Sequence, residues 1–142
     1  SNQNRYKLLI SRIMELMNNK IKNKNITFLG VTFKAGTDDM RESPSLSIIP
    51  TLSKRGAKIN YYDPSGFKNE FKKIKNVKFC STISQACKNT DLLIIHTEWN
   101  EFKQLNFKKL YKKKKFKIYD MRNLYSPSKM KKNKINYFGI GR

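Results

Sequence analysis

The sequence predicts an α/β domain of three layers, αβα, doubly wound around a mainly parallel sheet. Short apolar runs alternate with segments of helical period along most of the chain, the pattern of strand–crossover–strand units. The strongly apolar run over residues 91–96 suits a strand in a sheet covered on both faces. Two polar loops, residues 31–42 and 121–126, follow strand candidates, and open α/β sheets bind ligands beyond the carboxyl ends of their strands. Crossovers of this length are right-handed, which prunes the alternatives.

Residues 5–21 read as a helix. Leu9, Ile10, Ile13, Met14, Leu16, Met17 and Ile21 recur at spacings near three and four, with Arg5, Lys7, Arg12 and Glu15 off that stripe. No capping residue marks its start, which suits a helix arriving from an upstream domain, and residues 18–25 follow as a polar link. Residues 26–30, an apolar run closed by Gly30, form the first strand. Ser43 and Pro44 mark a helix start, with Ser as cap and Pro in the first position. Leu46, Ile48, Ile49 and Leu52 supply its inner face and Gly56 its stop, while Pro50 should kink it or delay its start. Residues 58–62 are the second strand, ended by the turn sequence Asp63-Pro64-Ser65-Gly66. A short basic helix or loop at 67–76 leads to a strand at 77–80 and a short helix at 84–88. The apolar strand at 91–96, a helix at 102–111, a strand at 116–119 and an edge strand at 135–138 complete the order.

A chain of 142 residues suits one compact domain. Nine Phe, seven Tyr and several Ile/Leu clusters argue against disorder. No apolar run approaches the roughly 18 residues that cross a bilayer, and the polar start does not read as a signal peptide. A soluble, cytoplasmic protein with no membrane partner is expected. Cys80 and Cys87 are too few for a disulfide framework, and with the single His96 they make no plausible zinc site, so no metal is expected. Lys and Arg number 31 against 10 Asp and Glu, a formal charge of +21 that attracts polyanions and phosphorylated metabolites alike. The excess is mostly Lys scattered among Asn, whereas nucleic-acid binders concentrate Arg and aromatics on one element. A small basic nucleic-acid-binding module is therefore the rival reading rather than the leading one.

The first loop carries the chemistry. It has neither a P-loop ending nor the Gly-x-Gly-x-x-Gly dinucleotide fingerprint, so a self-contained NAD site is unsupported. Asp63 sits where such a site would hold a ribose, but without the glycines its role in a turn is the stronger reading. What the loop does hold is Phe33, Lys34, Asp38, Asp39 and Arg41, just before a helix start. Lys34 and Arg41 can balance phosphate charge, Arg as a planar fork and Lys as a point charge. Asp38 and Asp39 could instead pair with those cations or organise the loop. Arg122, in the second loop, leaves the same edge of the sheet, where a second converging cation supports an anion site, with an ordinary surface Arg as the alternative.

Gly-Val-Thr-Phe-Lys-Ala-Gly-Thr-Asp-Asp-Met-Arg-Glu-Ser-Pro-Ser, over residues 30–45, closely resembles the signature loop of the UDP-glucose/GDP-mannose dehydrogenase family's C-terminal domain. The likeness continues through Tyr62-Asp63-Pro64, residues 97–102, Tyr119-Asp120-Met121-Arg122-Asn123 and the closing residues 139–142. It implies a Rossmann-like nucleotide-sugar-binding domain over residues 26–142, preceded at 1–25 by the end of a central connecting helix and linker. It further implies an NAD-dependent oxidoreductase that oxidises UDP-glucose to UDP-glucuronate, with GDP-mannose or UDP-N-acetylmannosamine as alternative substrates. By that resemblance Phe33, Lys34 and Arg122 contact the nucleotide sugar, and Arg41 reaches NAD across the domain cleft. The family's catalytic Cys belongs to the preceding domain, so no catalytic residue is assigned here and the chain is expected to be inactive alone. Its partners would be the N-terminal NAD-binding and central domains, in a homodimer or larger assembly. Met121 departs from the pattern, standing where Gly is usual before the Arg, which could shift the backbone of that loop.

Overall fold

A computed structural model describes residues 2–142. The order of elements is α1 (Asn2–Leu16), β1 (Asn25–Leu29), α2 (Ser45–Lys54), β2 (Lys58–Tyr62), β3 (Val77–Phe79), α3 (Ile83–Ala86), β4 (Leu92–Ile95), α4 (Phe107–Leu110), β5 (Lys117–Asp120), α5 (Pro127–Lys132) and β6 (Asn136–Gly139). The strands form one parallel sheet in the order β3-β2-β1-β4-β5-β6. Chain order reverses between β1 and β4, so the crevice above their carboxyl ends is the switch point of a doubly wound sheet.

Strand alternation builds the two cores. Ile26 and Phe28 of β1 and Leu92 and Ile94 of β4 face one side, packed against Leu9, Ile10, Ile13 and Leu16 of α1 and Ile48, Ile49 and Leu52 of α2. Leu29, Leu93 and Ile95 face the other side with Ile118, Phe102, Phe116 and Met130. The expected three layers are present, and α1 is one of the covering helices. All four β4 residues are buried, which is why that run carries no polar alternation.

Several boundaries differ from expectation for local reasons. α1 ends at Leu16 because Asn18 and Asn19 take left-handed φ of 54° and 58°, and the Lys117 ammonium then caps the Leu16 carbonyl at 2.6 Å. Five of the residues with positive φ outside glycine are Asn, so part of the Asn-rich composition terminates elements. α2 continues through Pro50 rather than starting after it, and the carbonyl deprived of a partner belongs to Leu46, which is open to solvent. The helix expected at 102–111 is two pieces, a 3-10 turn at Asn100–Phe102 and α4, because the Asn106 side chain accepts the Lys109 N–H and starts a new turn. The sequence pattern does not mark α5, although Ser126 and Pro127 repeat the residue pair before α2. There the Ser126 hydroxyl caps by accepting the Lys129 N–H, whereas α2, against expectation, is capped at Pro44 with no side-chain bond because Ser43 Oγ donates to the Val31 carbonyl.

Candidate functional site

Beyond β1 the chain must turn sharply under a neighbouring loop. Gly30 does so at φ 78°, and a Cβ there would sit 2.6 Å from Thr97 Cβ. The next residues are pinned at successive points. Val31 N–H donates to Asp63 Oδ2 at 2.7 Å, and the Val31 carbonyl accepts both Ser43 Oγ and Ser45 Oγ at 2.6 Å. Thr97 Oγ1 donates to the Thr32 carbonyl at 3.0 Å, and Phe33 N–H to the Asp39 carbonyl at 3.2 Å. Asp63 is thus a buried tether of the β1 loop as well as the organiser of its own turn, where it accepts Ser65 N–H and Oγ. With its neighbours held, Phe33 projects its ring half-exposed.

Arg41 stands outward at 88% side-chain exposure in a two-point pair with Asp39, Nε to Oδ1 and Nη2 to Oδ2, each 3.0 Å. The guanidinium holds the Asp39 carboxyl below the usual carboxylate range. Lys34 is exposed beside Phe33.

At the end of β5, the buried Asp120 carboxylate organises the second loop. It accepts N–H groups of Arg122 at 3.1 Å, Leu124 at 2.7 Å and Tyr125 at 3.1 Å, and the Tyr137 hydroxyl at 2.6 Å. The left-handed residue of this loop is Asn123, at φ 52°, so Met121 needs no glycine-like backbone; its N–H donates to the Ile95 carbonyl at 3.0 Å. The Asn123 amide clasps Ile140 through both its N–H and its carbonyl, at 2.8 and 3.0 Å. Arg122 reaches across to Glu98, Nη2 to Oε1 at 2.7 Å.

These loops enclose a cavity of about 370 Å³ at the switch point. Phe33, Arg122 and His96 contribute to its wall, α1 adds Arg5, Leu8 and Arg12, and Met121, Tyr119 and residues 139–141 complete it. Leu8 (72% exposed), Phe33 (50%) and Ile140 (40%), three of the large apolar side chains left open to solvent, all border it. Three guanidiniums beside apolar surface suit a ligand with both an anionic and a flat or apolar part. The structure therefore brings Phe33 and Arg122 together, while Lys34 and Arg41 lie outside the lining of this cavity.

Sequence reasoning missed Arg5, Arg12 and His96. The two arginines lie off the apolar stripe of α1, yet they share a face with Leu8 at helical spacing, and that face looks over the strand ends. The position of His96, first after β4, was the available signal for the third. A larger hollow, about 490 Å³, opens at the amino-terminal edge among Lys24, Asp91, Tyr111 and Lys117. It collects strand starts, not strand-end loops, and its one carboxylate, Asp91, is already paired with Lys114 at 2.6 Å. Cys80 and Cys87 are buried free thiols, and burial pushes Cys87 up to about 12, far from the thiolate state a nucleophile needs. Among the described residues no helix is long and apolar enough to cross a membrane.

A Rossmann-order sheet with cationic strand-end loops around one cavity defines a domain of the nucleotide-binding α/β class. Residues 27–127 match the UDP-glucose/GDP-mannose dehydrogenase family, UDP binding domain, and the chain belongs to that family. The UDP-glucose 6-dehydrogenase of Rickettsia felis is 38% identical over 99% of this chain and 32% of its own length. That of Rhizobium meliloti is 35% identical over 99% of this chain and 32% of its own. The chain thus spans about a third of the curated relatives it matches. Among solved structures, UDP-D-ManNAc dehydrogenase of Pyrococcus horikoshii superposes with a TM-score of 0.72 at 27% identity, covering 96% of this chain and 30% of that one.

Proposed function

We propose that this chain is the nucleotide-sugar-binding domain of an NAD-dependent oxidoreductase that converts UDP-glucose to UDP-glucuronate, acting only together with NAD-binding and central domains. The observation that carries this reading is that Phe33 and Arg122, from two different strand-end loops, border one cavity at the switch point. Arg122 would exchange its exposed partner Glu98 for a diphosphate oxygen, with Arg5 and Arg12 adding positive field. Phe33 would present its open ring to the nucleotide sugar, and Lys34 would follow as a point charge at the rim. α1 is proposed as the end of the connecting helix, and a homodimer or larger assembly as the working form.

NAD fits this chain only at its edge. There is no glycine-rich dinucleotide turn here, but an outward guanidinium on a pinned loop suits a phosphate carried by a facing domain, and Arg41 takes that role. When bound, NAD supplies the hydride acceptor. In the full-length protein, Arg122→Ala should weaken UDP binding by about 10- to 100-fold, as expected for a charge-assisted hydrogen bond, while Arg41→Ala raises KM for NAD and leaves UDP affinity intact. Titration calorimetry and initial rates test both; unchanged UDP affinity in Arg122→Ala would remove the cavity from the substrate site.

A further inference from the structure

We infer that His96, a residue of the cavity wall, is a hydrogen-bond acceptor that reads a donor group on the nucleoside part of the bound nucleotide. The inference rests on the reading of this cavity as a nucleotide site and adds to it a residue that determines which nucleotide is taken.

His96 follows the last residue of β4, and its backbone N–H donates to the Leu29 carbonyl at 3.0 Å. Only 4% of the residue is exposed, yet it contributes to the cavity wall. Its ring Nδ1 lies 2.9 Å from Thr97 Oγ1. That hydroxyl has a single hydrogen; giving it to the Thr32 carbonyl at 3.0 Å satisfies that acceptor and leaves the hydroxyl oxygen to accept from the ring. Nδ1 therefore carries the proton. Burial first, and the positive charge of Arg122 second, oppose protonation of the other nitrogen and bring the imidazole down to about 3, against a smaller opposing pull from the Gly30 backbone.

At neutral pH His96 is thus the neutral Nδ1–H tautomer, and Nε2 is a bare lone pair. Among the described residues Nε2 is buried without a hydrogen-bond partner. Arg122, the nearby donor, is directed to Glu98. A buried acceptor left alone is costly, and a cavity wall is where a ligand can satisfy it. Phosphate oxygens only accept at neutral pH, so Nε2 rejects them and leaves them to the guanidiniums. A base N–H or a ribose hydroxyl can donate. The wall is divided accordingly, with cations for the diphosphate and one acceptor for the nucleoside.

The test uses the full-length protein. By calorimetry, His96→Leu should weaken UDP by about 3- to 10-fold, the range of one neutral hydrogen bond, whereas His96→Gln, which restores an acceptor, stays within about twofold of the native protein. Inorganic pyrophosphate should bind His96→Leu and the native protein alike. In ¹⁵N-histidine spectra the unprotonated Nε2 resonance should move upfield with UDP and stay put with pyrophosphate. Of 3-methyl-UDP and 2′,3′-dideoxy-UDP, the analogue that no longer distinguishes His96→Leu from the native protein identifies the donor; if both still distinguish them, the inference is overturned. Native-like UDP affinity in His96→Leu, or an equal loss of pyrophosphate, also overturns it. Should Arg122→Ala weaken UDP while His96→Leu does not, the site stands and His96 falls; if neither variant weakens UDP, the site itself falls.

Discussion

The β1 loop and the β5 loop leave the same edge of the sheet, and they are held by different means. The β1 loop depends on residues far away in sequence: Asp63 from the end of β2 holds Val31, and Thr97 from beyond β4 holds Thr32. The β5 loop is organised by the last residue of its own strand, since Asp120 collects three of the following N–H groups and the Tyr137 hydroxyl. A long loop has too much backbone for one carboxylate to order, so neighbouring strands must supply anchors; in the shorter one a single carboxylate at the root takes most of the backbone donors. The first arrangement couples the aromatic wall of the cavity to the whole sheet edge. The second makes the Arg122 side a local unit.

Removing each anchor sharpens this contrast. Asp120→Ala strands several part-buried donors at once and should cost ~3 kcal/mol, seen as a lowered midpoint in urea unfolding. The damage should centre on residues 121–126 and 137–142 in hydrogen exchange, with the β1 loop protected as before. Uniform loss across both loops would end the idea of a local unit. Asp63→Asn keeps the size but replaces one acceptor by a donor, against Val31 N–H or within the Ser65 turn. It should cost ~2 kcal/mol and loosen the β1 loop, which faster amide exchange at Val31 and weaker UDP binding would report while Arg122 keeps its geometry.

The smallest effect concerns the outward pair. Arg41 lowers the Asp39 carboxyl, so its contribution is present above the unfolded carboxylate's range and fades as pH falls through the depressed folded value. Both groups are open to solvent, so the effect on stability should be slight. An NMR titration of the Asp39 carboxyl should still find it below an ordinary Asp, and Arg41→Ala should bring it back up. A carboxyl indifferent to that substitution would mean the pair does not persist in solution.

Much of the fold and part of the site were legible in advance. Period and burial pattern suffice for β2, β4 and the inner face of α2, because apolar side chains at those spacings have one place to go. Phe33 and Arg122 were legible as candidates because a loop after a strand in a parallel sheet must lie over the ligand crevice. The broken helix at 102–111 was not, since a capping Asn inside an amphipathic stretch looks like an ordinary surface residue. α5 was overlooked beneath a run of lysines, although its Ser-Pro start was present. Lys68 is the sharpest case: among the lysines of residues 68–78 it alone is buried, with its ammonium on Ser65 Oγ at 2.6 Å, and nothing in composition separates it from the others.

Alone, the amino-acid order determined the layer architecture, the polarity of the strand ends and which loops carry cations, because these follow from spacing along one chain. Tertiary structure decided that α1 closes the cavity with Arg5 and Arg12, that Asp63 is a tether, and that His96, a residue of the cavity wall, has a buried Nε2 without a hydrogen-bond partner. Each of those depends on groups from different elements meeting: the proton on His96 is inferred only because Thr97 Oγ1 lies between the ring Nδ1 and the Thr32 carbonyl, 65 positions from Thr97.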